Sequence, residues 1–218
     1  MGIKENIEKI KKGIPAEVTI VAAVKYADKE QIKELIENGI TDIGFNTFQQ
    51  LKEIKETGIL DKNQNHTNVR IHFIGSLQKN KVKKVLESDV FLIQSIDSIE
   101  LAEIVNKTSS QLGIKQNILL QIRTDQKKEH GIEISEINNA VLKISQMNNI
   151  KLMGLMTLPP IAEKAALTEC LKTMKLEYDK ICKAGTKLEY LSMGTSEDYA
   201  LTIENGANMV RIGRAFFE

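Results

Sequence analysis

The sequence is short of cysteine and histidine, has no excess of either charge and no long apolar run, and each shortage removes a class of function. Its 30 lysines and arginines stand against 29 acidic residues, so no net field draws the chain to nucleic acid or to an anionic membrane. No apolar stretch approaches the roughly 20 residues that a spanning helix needs. The opening "MGIKENIEKIKKGIP" has neither an apolar core nor a small-residue cleavage site, so it does not read as a signal peptide. Ile3, Ile7 and Ile10 instead mark one face of a short amphipathic helix. The two cysteines, Cys170 and Cys182, fall on one helical stretch. There they sit about 18 Å apart along the axis, beyond disulfide reach. Free thiols in a reducing cytosol are the expectation, and the localisation expected is cytoplasmic. His66, His72 and His130 are widely spaced, and no metal site is expected from them. The lysine-rich "QKNKVKKV" reads as a solvated helix face rather than an RNA contact.

What the sequence does have is alternation of two periods. Short β-rich runs occur at 18–24, 42–45, 70–75, 91–96, 117–123, 151–156, 190–193 and 209–213, with helical spacing between them. In "DKEQIKELIENG", Ile32, Leu35 and Ile36 share a face and Asn38-Gly39 supplies the stop. In "SIDSIELAEIVNKTSSQLG", Asp97 or Ser98 caps a helix carrying Leu101, Ile104 and Val105, which ends at Gly113. Strands alternating with helices imply a parallel sheet with right-handed crossovers. Eight such units in 218 residues fit a single closed (β/α)8 TIM barrel over residues 1–218, with the amphipathic N-terminal helix as an addition. Periodicity leaves an open doubly wound sheet as the rival, although no G-x-G-x-x-G follows an early strand. The polar "DKNQNHTNV" at 61–69 reads as a surface loop.

In such a barrel the active site lies at the C-terminal ends of the strands. Lys25 ends the first run, and Asn46 follows the second. Gly75, Gln78, Asn80 and Lys81 follow the third. Gly194, Thr195 and Ser196 after the run at 190–193 would face Gly213 and Arg214 after the last, where barrels often hold phosphates. Ser196 reads equally well as the N-cap of the next helix. Lys25 is either a side chain reaching for solvent or, partly desolvated on the barrel floor, an amine able to condense with an aldehyde. Arg211 has the parity of Gly213 and would point into the barrel, where a guanidinium needs an acceptor or an anion. Lysine, arginine and phosphate cradle together suggest pyridoxal 5′-phosphate.

The stretches "VAAVKYA", "DIGFNTFQQ", "IHFIGSLQKNK", "GLMTLPP" and "LSMGTSEDYALTIENGANMVRIGRAFF" lie between residues 21 and 217. In them the sequence resembles the YggS/PROSC-like pyridoxal phosphate homeostasis proteins, which share the fold of the alanine racemase N-terminal domain. The resemblance implies that Lys25 forms the Schiff base with the cofactor and that Arg211 lies beside the pyridine nitrogen. It also implies that Asn46 lies near the ring, that Ser196 with the backbone of Gly213 and Arg214 holds the phosphate, and that Met193 packs nearby. Phe45 and Thr47 stand where the family's G-E-N-Y motif has glutamate and tyrosine, which puts a polar role there in question. Arg214 stands where threonine is common, and would add charge to the phosphate site.

By the same resemblance, the expected role is a non-catalytic carrier of the cofactor in vitamin B6 homeostasis, the alternative being a weak racemase or other Schiff-base enzyme. A cationic Arg211 against the pyridine nitrogen makes the ring a poorer electron sink. The β-rich second domain that gives racemases their opposing tyrosine is not expected after Glu218. Pyridoxal phosphate is the expected ligand and apo-enzymes that use it are transient recipients. No nucleic acid or membrane partner is expected, and the protein is expected to be a monomer.

Overall fold

The protein is described by a computed structural model covering residues 2–61, 69–125, 127–160 and 163–218. The amphipathic opening folds as α1 (Ile3–Lys12), with Ile7 and Ile10 buried. Then follow β1 (Thr19–Ala23), α2 (Lys29–Glu37), β2 (Asp42–Phe45), α3 (Phe48–Glu56), β3 (Arg70–Phe73), α4 (Val82–Leu86), β4 (Leu92–Ile96) and α5 (Ile99–Leu112). The second half has β5 (Gln116–Arg123), β6 (Ile132–Glu133), α6 (Ile137–Ser145), β7 (Ile150–Thr157) and α7 (Lys164–Lys183). It closes with β8 (Tyr190–Ser192), α8 (Tyr199–Glu204), β9 (Met209–Ile212) and α9 (Arg214–Phe217).

Every expected run contains a strand, and all the pairings are parallel. The pairs β4–β5 and β9–β1 complete a ring of eight strands, which removes the open sheet as a rival. The two-residue β6, which no run in the sequence announces, adds to the end of β5 through Ile122 and Ile132. The loop expected at 61–69 lies outside the described residues except for Asp61, which is exposed, and Val69, which is buried. Both cysteines lie on α7 as free thiols.

Local chemistry explains where the elements start and how they seat. Asp28 and Gln31 form a reciprocal cap at the start of α2, with side chain to backbone distances of 2.8 and 3.0 Å. That helix buries Ile32, Leu35 and Ile36 against the outer face of the sheet. Each such side chain contributes about 1.5–3 kcal/mol. Of the two candidate caps for α5, Ser98 accepts from the Leu101 N–H at 3.2 Å, while Asp97 pairs with His130.

The core has two compartments. The larger apolar one lies between strands and helices. The smaller fills the barrel with Val21, Leu92, Leu119, Met153, Met156 and Met209. Asp42, His72, Gln94, Ser192 and Arg211 are also buried, joined by hydrogen bonds that span β2, β3, β4, β8 and β9.

Candidate functional site

A cavity of about 490 Å³ opens beyond the C-terminal ends of β1, β2, β8 and β9. Lys25, Asn46, Ser196, Arg211, Gly213 and Arg214 all line it. Residues far apart in sequence thus meet at one rim because parallel strands deliver their C-terminal ends to the same face.

The β8–α8 loop and the β9–α9 junction form a cradle of backbone donors. The N–H groups of Gly213 and Ala215 both donate to the Ser196 hydroxyl, at 3.1 and 3.3 Å. Ser196 therefore does not cap α8, as its position before that helix suggests. Asp198 is the residue at that cap, and its carboxylate instead accepts from the Thr195 N–H and hydroxyl, at 2.6 and 3.0 Å. Gly194 begins this loop at φ 95°, where a Cβ would meet the Thr202 hydroxyl at 2.2 Å. Two N–H groups converging on a hydroxyl that still has a proton to donate make an anion-binding geometry. Arg214, on the same wall, is paired with the exposed Glu197, so a carboxylate already shares its charge.

Arg211 is only 5 % exposed. Its Nη1 donates to the Ser192 hydroxyl at 2.5 Å and to the Ser192 carbonyl at 3.2 Å, and its Nη2 donates to the Thr157 carbonyl at 2.8 Å. Among the described residues no carboxylate lies within ion-pair distance of it. Burial lowers its pKa to about 10, so it is still a cation at neutral pH. Its acceptors are all neutral, so the buried positive charge is not balanced by them and favours an anion or a further acceptor in the cavity.

Lys25 lies beyond the strand, since β1 stops at Ala23 and Val24 begins a turn. The Val24 N–H donates to Gly44 O, and the Val24 carbonyl accepts from Ala27 N–H and Gln50 Nε2, so the backbone under Lys25 is tied to β2 and α3. Of the two alternatives for Lys25, the structure has the side chain reaching for solvent: Lys25 is exposed, with its Nζ 4.7 Å from the Tyr26 ring centroid. The strand ends two residues too early to draw it inside.

Asn46 is half-buried at the end of β2. The departures beside it have structural explanations. Phe45 is fully buried in the strand–helix core, where a glutamate would lie in apolar surroundings. Thr47 caps α3, accepting from the Gln50 N–H at 3.2 Å. Met193 is fully buried in the outer core and does not line the cavity. Gln78 and Lys81 line a neighbouring cavity that shares Asn46. Gly75 is a close-approach glycine, as a Cβ there would lie 1.9 Å from Asn46 O.

Sequence reasoning missed Tyr26, Leu158 and Phe217 on the cavity wall, and the polar row beneath Arg211. That row had one signal: Asp42, Arg70, His72 and Gln94 interrupt apolar strands at inward parity.

The sequence profile of the alanine racemase N-terminal domain matches residues 2–218. Two curated relatives carry the name pyridoxal phosphate homeostasis protein. The one from Aquifex aeolicus is 31% identical over 91% of this chain and 85% of its own. The one from Escherichia coli K12 is 29% identical over 93% and 86%. The chain belongs to the family of the alanine racemase N-terminal domain, and within it to the pyridoxal phosphate homeostasis proteins. Among solved structures, PipY of Synechococcus elongatus, with pyridoxal phosphate bound, superposes with a TM-score of 0.88 at 25% identity, covering 99% of this chain and all of that one. The alanine racemase of Clostridium difficile shares the fold at a TM-score of 0.79 and 18% identity, covering 99% of this chain and 55% of that one.

Proposed function

We propose that the protein binds pyridoxal 5′-phosphate and serves cofactor homeostasis as a carrier rather than as a catalyst. The observation that carries this is the meeting of three chemistries on one cavity: paired backbone N–H groups at Ser196, a buried guanidinium with no carboxylate at ion-pair distance among the described residues, and an accessible primary amine. Bound there, the cofactor supplies an aldehyde that an amine can hold and release. Lys25 is the residue that would hold that aldehyde, and its accessible amine would keep the attachment reversible.

In this reading the Ser196 hydroxyl and the N–H groups of Gly213, Arg214 and Ala215 receive the phosphate, and Arg214 exchanges Glu197 for it. Arg211 would face the pyridine nitrogen, where a cation disfavours protonation of that nitrogen and so would weaken carbanion chemistry. Asn46 sits against the ring, with Met193 as buried support behind the cradle. The exposure of Lys25 suits handover to apo-enzymes, because a competing amine can reach the linkage. The names of the relatives support homeostasis over catalysis. We read the protein as one domain, a monomer, working in the cytoplasm.

Titration with pyridoxal 5′-phosphate should raise a visible absorbance band in the wild type and none in Lys25→Ala. An unchanged band in that variant would overturn the assignment of Lys25. Lys25-dependent exchange of the Cα proton of amino acids into deuterated solvent, at rates typical of enzymes, would replace the carrier with a catalyst.

A further inference from the structure

The polar row inside the barrel has a single direction. Arg211 can only donate and the ionised Asp42 carboxylate can only accept, so the two ends fix every hydrogen between them. Ser192 receives from Arg211 at 2.5 Å and so gives its own proton to Gln94 Oε1, at 2.8 Å. The Gln94 amide nitrogen then donates to His72 Nδ1 at 3.0 Å, and His72 Nε2–H donates to Asp42 at 2.7 Å. Arg70, at the opposite mouth of the barrel, balances Asp42 at 2.7 and 2.9 Å. Five side chains from five strands are thus arranged so that one guanidinium, at the cofactor end, has its Nη1 held by a hydroxyl whose lone pair cannot turn away.

We infer that Gln94 and Ser192 are positioning residues: the row from Asp42 through His72, Gln94 and Ser192 holds the Arg211 guanidinium in the orientation it presents to the cavity. Two side observations fit this role better than plain core filling. Gln94 is fully buried, with its amide nitrogen 3.3 Å from the Met209 sulfur of the apolar barrel filling, where an apolar side chain would need no partners. Ser192 is fully buried too, and among the described residues its hydroxyl bonds only along the row, to Gln94 and Arg211. A satisfied buried network restricts its members to one geometry. Here the member at the end of the row is the one that reaches a ligand. The consequence for the cofactor rests on the reading above.

The test uses Ser192→Ala, Ser192→Thr, Gln94→Leu and the Ser192→Ala/Gln94→Leu double variant, each titrated with pyridoxal 5′-phosphate beside wild type and Lys25→Ala. Both Ser192→Ala and Gln94→Leu should keep the Lys25-dependent band, shift its wavelength and bind about tenfold more weakly. Ser192→Thr, which keeps the hydroxyl, should restore the wild-type band position. Because both single changes cut the same row, the double variant should bind no more than about tenfold more weakly, not about a hundredfold. A wild-type spectrum and affinity in Ser192→Ala and Gln94→Leu, or losses that multiply in the double variant, would overturn the inference.

If wild type shows no Lys25-dependent band, the proposed function fails and the positioning is decided without ligand. Melting shifts of Ser192→Ala and Arg211→Lys that combine to less than their sum would support it. Shifts that add would refute it.

Discussion

His72 should make this fold sensitive to mild acid. The imidazole is fully buried. It is wedged between Asp42, Gln94 and the edge of Phe91, whose ring centroid is 5.5 Å away, with the Arg70 guanidinium over that same ring. Burial pushes its pKa down, Asp42 pulls it up, Arg70 pushes it down again, and the net direction is below the ordinary 6.5. The hydrogen-bond row gives the same direction, since a second ring proton would set Nδ1–H against the Gln94 amide N–H. The unfolded chain therefore binds a proton near pH 6.5 that the native state refuses, so stability must rise with pH across that window. Lowering the pH from about 7.5 to 5.5 removes up to about 1.4 kcal/mol, the limit reached when the native imidazole stays neutral over the whole interval.

Urea unfolding at several pH values measures this directly. At a slope of roughly 2–3 kcal/mol/M, the His72 contribution should lower the midpoint by up to about 0.5–0.7 M over that interval. His72→Gln keeps an amide donor for Asp42 but has nothing to titrate there. Its midpoint, lower at neutral pH, should change less over the same interval, because contributions from other groups are common to both proteins. Parallel curves for wild type and His72→Gln would refute a neutral buried imidazole, and with it the direction assigned to the row. Asp42 adds a separate limb at lower pH. Burial pushes its pKa up, but hydrogen bonds from His72 and Arg70 outweigh that and hold it below the usual carboxylate value. Its contribution is present above about pH 3.9 and is lost as pH falls through the lower native value.

The departures from the family motif and the cradle give further tests. Phe45→Glu, which restores the family's residue, should lower stability by about 3 kcal/mol or more in a denaturant melt, because the side chain is fully buried in apolar surroundings. Thr47→Ala should cost about 1 kcal/mol by the same measurement through loss of the α3 cap. Gly194→Ala should lower stability by roughly 1–3 kcal/mol, since it strains a positive φ and collides with Thr202. Ser196→Ala should weaken pyridoxal 5′-phosphate binding about tenfold in an absorbance titration, with little loss for pyridoxal, which lacks the phosphate.

The barrel was legible because its signals are local. Each run of "VTIVAAV" or "FLIQSI" type is a short, largely apolar β-rich stretch, the intervening helices carry apolar stripes, and the strand-end rule turns this alternation of strand and helix into a list of rim residues. Lys25, Asn46, Ser196, Gly213 and Arg214 came to one cavity because parallel strands require it. What could not be read depends on register. Gln94 in "FLIQSI" is one polar residue on a strand until β3 and β8 bring His72 and Ser192 to either side of it. β6 is too short to have a period. Whether Ser196 caps α8 or meets Gly213 depends on how closely two loops approach, which no local pattern encodes. The exposure of Lys25 follows from β1 ending at Ala23, a boundary that the apolar Val24 conceals.

The two kinds of information divide the protein in a physically sensible way. Side chains that line the cavity lie at strand ends, where sequence order alone predicts that they will meet. Side chains that hold those groups in place lie inside the barrel, where only the register decides their partners. Arg211 belongs to both sets, since it lines the cavity and ends the buried row. For that reason a change at Gln94, which does not line the cavity, should still be felt there.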